Sequence, residues 1–276
     1  MKTLICCFAI LSLILVCAPV QAENWMLYDH FKTRFFYHGG IDPNKWAGLV
    51  LANTLPPGFW VGENVMEVLF GRFHILNQAY GGVLPPPPPI FLEQDLFLRN
   101  YEGVKGIKAT LNILAAEVSG CSTQLQTLPL PAVRARLWGH FFKAPDGLDV
   151  GTFLFVERSN DMTDAFNILN VKASIAKCAD AKCMAYNPIY GPFPMGTVRL
   201  WENIVLSLQW DEPNNQFIYR LNNNPPFNIS YDGINEGPPV YANRKAISAI
   251  DLFAPCGAEG QEAFIDVYFD NVYVLK

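Results

Sequence analysis

Four side chains that alternate along one short run, Arg134, Arg136, Trp138 and His140, combine the two things a carbohydrate site asks for. An indole face packs on the C–H face of a sugar, while guanidinium and imidazole groups offer planar donors to its hydroxyls. Successive residues of a strand point to opposite sides of a sheet, so these four share one side and Ala135, Leu137, Gly139 and Phe141 share the other. The apolar set belongs to a core, and the polar set is expected to face outward, with an exposed indole, either as a ligand surface or as a sheet face that is merely solvated or covered by a long loop. A second arrangement with chemical content is Glu93-Gln-Asp-Leu-Phe97, in which two carboxylates fall on one side of an extended chain. A retaining glycosidase needs two carboxyl groups about 5 Å apart, one as nucleophile and one as acid and base. Glu259, Glu262 and Asp266 are spaced wrongly for that task. The chain has no Gly-x-Ser-x-Gly elbow, no His-Glu-x-x-His helix and no phosphate-cradling glycine loop.

The elements that must position these groups are strands. Short apolar and alternating runs are separated by Gly, Pro and Asn clusters, and no stretch sustains a 3.6-residue apolar period. Strands are expected at 65–76, 106–117, 133–142, 151–158, 166–173, 197–210, 216–221, 247–253 and 263–275. In the run from Gly106, Ile107, Ala109, Leu111 and Ile113 oppose Lys108, Thr110 and Asn112. In the run from Ile204, alternate apolar residues through Trp210 oppose Val205, Ser207 and Gln209. If these strands share a sheet with the Arg134 run, they make one broad hydrogen-bonding surface. Trp46 and Trp210 read as core, the aromatic residues Tyr186, Tyr190 and Trp201 as either the rim of a loop spanning 187–196 or the pins that hold that loop to the sandwich, and Pro85 to Pro89 as an exposed polyproline-II excursion.

Lys2, the apolar run from Leu4 to Val16 and the small-residue site Val20-Gln-Ala22 read as a secretory signal peptide over residues 1–22. The run is shorter than the roughly 20 residues of an ordinary membrane span, and no later segment could span one. The mature chain from Glu23 is expected to be secreted or periplasmic, a single domain over 23–276. It keeps Cys121, Cys178, Cys183 and Cys256, an even number that favours disulfides over a zinc site in an exported chain. Three connectivities are open; the easiest closes the short Cys178–Cys183 loop and leaves Cys121 to Cys256. Removing Lys2 leaves 20 − 1 = 19 basic residues against 25 acidic ones, so the net charge moves from −5 to −6. Arg134-Ala-Arg136 is too small a basic group for nucleic acid, which needs clustered cations.

Seven segments together resemble the concanavalin A-like lectin/glucanase superfamily, which includes laminin G-like modules. They are Asp29-His-Phe31, Ile41-Asp-Pro-Asn-Lys-Trp46, Gly106-Ile-Lys-Ala-Thr-Leu111, Arg134-Ala-Arg-Leu-Trp-Gly139, Val205-Leu-Ser-Leu-Gln-Trp210 with Phe217-Ile-Tyr-Arg-Leu-Asn222, and Phe269-Asp-Asn-Val272. The resemblance covers nearly the whole mature chain and implies an all-β, two-sheet antiparallel jelly-roll sandwich whose first and last strands pair. It also implies a polysaccharide or glycoconjugate partner, without choosing between lectin and hydrolase. Glucanases of this fold typically carry Glu-x-Asp-x-Glu on one strand; here Phe97 stands where the third acid would be, which points to a non-catalytic binding or surface-interaction module, with a divergent hydrolase and a structural envelope protein as alternatives. Many members hold calcium where the chain ends meet, and Asp29 and Asp270 are the candidate ligands. Only two acidic ligands are in view where calcium takes six to eight oxygens, so local turn and backbone hydrogen bonds are the competing role for both. Asn228-Ile-Ser230 is an acceptor sequon in a eukaryotic secretory pathway.

Overall fold

The computed structural model describes residues 24–32, 40–52, 60–81, 90–119, 131–160, 165–183, 185–253 and 261–276. The expected signal peptide, the Pro85 to Pro89 run and the Cys121–Cys256 bridge lie outside the described residues. In chain order the strands are β1 (Met26–Asp29), β2 (Trp46–Ala52), β3 (Trp60–Leu69), β4 (Arg72–Gly81), β5 (Ile90–Leu98), β6 (Gly106–Ser119), β7 (Ala132–Lys143) and β8 (Asp149–Ser159). They continue with β9 (Ile168–Cys178), β10 (Tyr186–Arg199), β11 (Asn203–Asp211), β12 (Gln216–Leu221), β13 (Phe227–Ser230), β14 (Lys245–Phe253) and β15 (Gln261–Leu275).

The strands form an antiparallel two-sheet jelly-roll sandwich, as the resemblance implies. The first sheet has the order β13-β12-β11-β6-β15-β4-β3 with β1 also on β15, and the second has the order β10-β9-β8-β7-β14-β5-β2. The chain ends do pair: Met26 faces Val274 and Leu27 faces Tyr273. Asp29 then staples the opening, because its Oδ2 accepts the Trp46 indole N–H at 2.8 Å and its Oδ1 accepts the Phe31 amide at 3.0 Å. Trp46 is buried between Tyr28 and Phe31. The inner faces of both sheets meet in one core, with Phe73, Ile75, Phe217, Tyr219 and Phe269 from the first packed towards Leu92, Leu137, Leu154 and Ile247 from the second. Each such side chain contributes about 1.5–3 kcal/mol by leaving water.

Several expectations are corrected. The run at 65–76 is a hairpin, because Phe70 and Gly71 take left-handed backbone angles (φ 53° and 70°) and turn β3 into β4. The run at 197–210 is likewise broken at Trp201 (φ 66°). The segment read as a loop over 187–196 belongs to β10, which tolerates Pro188, Pro192 and Pro194 because it is an edge strand paired only with β9 and interrupted by register shifts. The three polar-faced strands do not share a sheet: β6 and β11 lie in the first and β7 in the second.

Candidate functional site

The ladders of the second sheet arrange its outer face in rows. Glu93, Ile250, Arg134, Glu157 and Asn170 form one; Asp95, Ser248, Arg136, Phe155 and Lys172 the next; Phe97, Ala246, Trp138, Phe153 and Ser174 the third; His140, Gly151 and Ala176 the fourth. Arg134, Arg136, Trp138 and His140 therefore do lie opposite the core set of β7. Their exposure is where the structure departs from expectation: Arg136 is 8% exposed, Trp138 4% and His140 0%. β5, β7 and β8 each place an aromatic ring in the third row, with only the small Ala246 of β14 between Phe97 and Trp138, and the rings close over one another. Trp138 stacks on Phe153 at 5.8 Å, meets Phe97 edge-on at 5.7 Å and meets Tyr186 edge-on at 6.4 Å. A strand read alone gives only its facing, never what its neighbours lay across it.

Beside the rings, in the next row, is a buried ionic group. Arg136 pairs with the Glu93 carboxylate, donates from Nε to Ser248 Oγ at 2.6 Å, and has Nη2 3.7 Å from Asp95 Oδ1. Trp138 Nε1 donates to the same Asp95 oxygen at 2.9 Å. Burial drives the Asp95 carboxyl up to about 7, against the hydrogen bonds from Trp138 and Ser248. Burial also lowers Arg136 to about 10, which leaves it a cation at neutral pH. One row further out, Glu157 accepts Arg134 Nε at 2.5 Å and Lys172 Nζ at 2.7 Å. Burial pushes the Glu157 carboxyl upward, but the two cations more than offset it and hold it below the usual range. Arg134 and Lys172 are the partly exposed members of this group, and the Arg134 guanidinium lies 4.5 Å over the Phe155 ring.

At the other end His140 links two strands. Its Nδ1 meets Asp149 Oδ2 at 3.0 Å, and Nε2 meets Tyr186 O–H at 2.9 Å. Asp149 is ionised: burial raises its carboxyl, but the bonds from His140, Tyr241 N–H and Val240 N–H outweigh that and bring it below the usual value. An ionised Asp149 fixes the proton on Nδ1, so Nε2 accepts from the Tyr186 hydroxyl. Burial holds His140 below its ordinary value despite Asp149. The ring can lie there because the residue opposite is Gly151, where a Cβ would sit 2.9 Å from Gly139 O and 3.1 Å from the imidazole.

Asp29 and Asp270 lie where the chain ends meet. Both Asp29 oxygens are engaged as described, and Lys45 Nζ lies 3.4 Å from Oδ1. Asp270 Oδ1 accepts the Asn271 amide at 2.7 Å. Among the described residues His140, Cys178 and Cys183 bring ligand atoms within 4.8 Å of one another, but the sulfurs are joined in the expected Cys178–Cys183 disulfide and offer no thiolates. No described helix is long and apolar enough to cross a membrane. Sequence reasoning missed Asp149, Glu157 and Lys172 and left Tyr186 in a loop. Glu93 and Asp95 were noticed as a carboxylate pair but not as partners of Arg136.

No protein-family model matches the chain, and no curated protein matches it. Among solved structures, one from work on endo-acting O-glycanases of human gut microbiota is similar at 12% identity, covering 90% of this chain and 98% of that one (TM-score 0.45). The potassium-bound carbohydrate recognition domain of Emp46p is similar at 12% identity, covering 80% and 96% (TM-score 0.38). An alginate lyase from Klebsiella pneumoniae is similar at 8% identity, covering 86% and 97% (TM-score 0.42).

Proposed function

We propose that this is an exported, single-domain glycan-binding protein of the concanavalin A-like type, and that it takes its ligand on the outer face of the second sheet. The observation that carries this reading is the third row of that face, where Phe97, Trp138 and Phe153 make an aromatic bed joined by Tyr186 and flanked by Arg134, Arg136 and Lys172. Sugar C–H faces pack on such rings while guanidinium and ammonium groups take the hydroxyls or acidic substituents. The buried Arg136 and Trp138 act as the frame, and the partly exposed Phe97, Tyr186, Arg134 and Lys172 make the contacts. Calcium is left out of this reading, because the carboxylate of Asp29 is committed to Trp46, Phe31 and Lys45.

The test is retention of the folded, disulfide-intact protein on a broad glycan panel, followed by Tyr186→Ala and Arg134→Ala. Saturable binding weakened about tenfold or more by either change is the expected result. Absence of any signal would sink the reading. Trp138→Ala is a poor probe, since emptying that position unpacks the face.

A glycan-active enzyme is the second reading, and one observation favours it: Glu93 and Asp95 share a face, with Asp95 raised towards neutrality as an acid should be. Against it, Asp95 is fully buried with one oxygen taken by the Trp138 indole N–H, and Phe97 occupies the next position on that side. Release of reducing ends, lost in Glu93→Gln, would favour the enzyme.

A further inference from the structure

Three polar side chains sit inside the sandwich, where the alternation calls for apolar ones. Asn77 lies between Ile75 and Ala79 on the inner side of β4, Gln94 between Leu92 and Leu96 on β5, and Asp251 follows Ala249 on β14. All three are 0% exposed. They converge on Ala249. Gln94 is its direct partner across the ladder, Asp251 is the next residue on the same side, and Asn77 reaches over from the first sheet to donate Nδ2 to the Ala249 carbonyl at 3.3 Å.

What remains is unsatisfied. Asn77 Oδ1, both amide atoms of Gln94 and both carboxylate oxygens of Asp251 have no hydrogen-bond partner. Buried polar groups are almost always paired, and the combined cost of five orphans is comparable with the net stability of a domain. With Asp251 ionised their balance is also uneven: four acceptors, one of them carrying a formal charge, face the single donor Gln94 Nε2. Water would have to donate into every oxygen and would leave a buried carboxylate uncompensated. The neighbouring inner positions Ala79, Ala135, Ala249 and Ala263 are small and fully buried.

We propose that Asp251, Asn77 and Gln94 hold a monovalent hard cation, of sodium or potassium size, between the two sheets. Oxygen-only donors are the chemistry of hard cations. One carboxylate balances one positive charge, whereas a divalent ion would leave an excess charge in a low-dielectric interior. With no ion bound, burial raises the Asp251 carboxyl well above the usual carboxylate range, so the proton is the occupant the cation displaces.

The experiment is thermal unfolding of protein unfolded and refolded, with disulfides intact, in choline chloride and then titrated with sodium, potassium or calcium chloride at constant ionic strength. Sodium or potassium should raise Tm by about 3–6 °C at roughly ten times its dissociation constant and then saturate. Asp251→Asn should abolish that rise, and if this variant does not fold, Gln94→Met serves in its place. Crystals grown in rubidium chloride should show an anomalous peak against Asp251. Equal Tm values in choline, sodium and potassium, a rise with calcium alone, a rise that survives substitution, or an absent rubidium peak would each overturn the proposal.

Discussion

Two histidines, one on the outer face of each sheet, sit between two oxygen partners and yet titrate in opposite directions. His74 on the first sheet has Glu67 Oε1 at 3.3 Å and Asp266 Oδ1 at 3.0 Å, and stacks on Tyr268 at 4.4 Å with Arg72 4.6 Å over the same ring. Burial opposes its charge, but hydrogen bonds to two carboxylates prevail and raise it. His140 on the second sheet has one carboxylate and one phenol, is sealed completely, and feels Arg244 and Lys245; burial prevails and lowers it. The first face thus stabilises a charged imidazole near solvent. The second spends its polar groups on a closed frame of paired charges around a neutral imidazole, which holds aromatic rings in place.

The sharpest way to break this contrast is to remove one cation from each face. Arg136→Met leaves Glu93 and Asp95 buried without their partner and should cost about 3–5 kcal/mol in urea unfolding. Arg72→Met removes a cation stacked on a ring at the surface and should cost under about 1 kcal/mol. Equal losses would mean that the second face is as well solvated as the first. Trp138→Phe keeps the ring stack but removes the N–H that Asp95 accepts, for an expected loss of about 1–3 kcal/mol.

The histidines themselves give opposite slopes with pH. The folded value of His74 is raised, so its contribution is full below the unfolded value of about 6.5 and is lost as pH rises through the folded value. The cost of His74→Gln should therefore be largest near pH 5.5 and shrink towards pH 8. The folded value of His140 is lowered, so the wild type loses stability as pH falls from about 6.5 towards that value. The cost of His140→Gln should shrink on acidification. Denaturant midpoints from pH 5 to 8 check both, and parallel slopes would contradict the contrast.

How much of this was legible follows from range and period. β6, β7, β8, β12 and β15 are readable because one side of each is mostly apolar, and a period of two is a local property. β5 hides for the opposite reason. It carries Glu93 and Asp95 on one side and Gln94 among leucines on the other, so no alternation survives. That strand holds the partners of Arg136 and Trp138 and one arm of the inter-sheet polar cluster. The resemblance to glucanases drew attention to its carboxylates as a reaction motif, whereas in the fold they anchor a cation and an indole. The His140–Asp149–Tyr186 chain draws on three strands, and no spacing in the sequence announces it.

The smallest expected effect discriminates best between frame and contact. Glu157 is shared by Arg134 and Lys172, so Lys172→Ala leaves the carboxylate paired through Arg134 and should cost under about 1 kcal/mol, the usual size for a partly exposed ion pair. Lys172 nevertheless stands beside Phe155 in the same row as Arg136, within reach of anything lying on the aromatic bed. If that row binds a glycan, Lys172→Ala should weaken retention several-fold with the unfolding midpoint almost unmoved. Arg134→Ala should weaken both, since it also removes the cation over Phe155. A Lys172 variant that loses stability but not retention would show that this row is part of the frame, and would move the contact surface towards Phe97 and Tyr186.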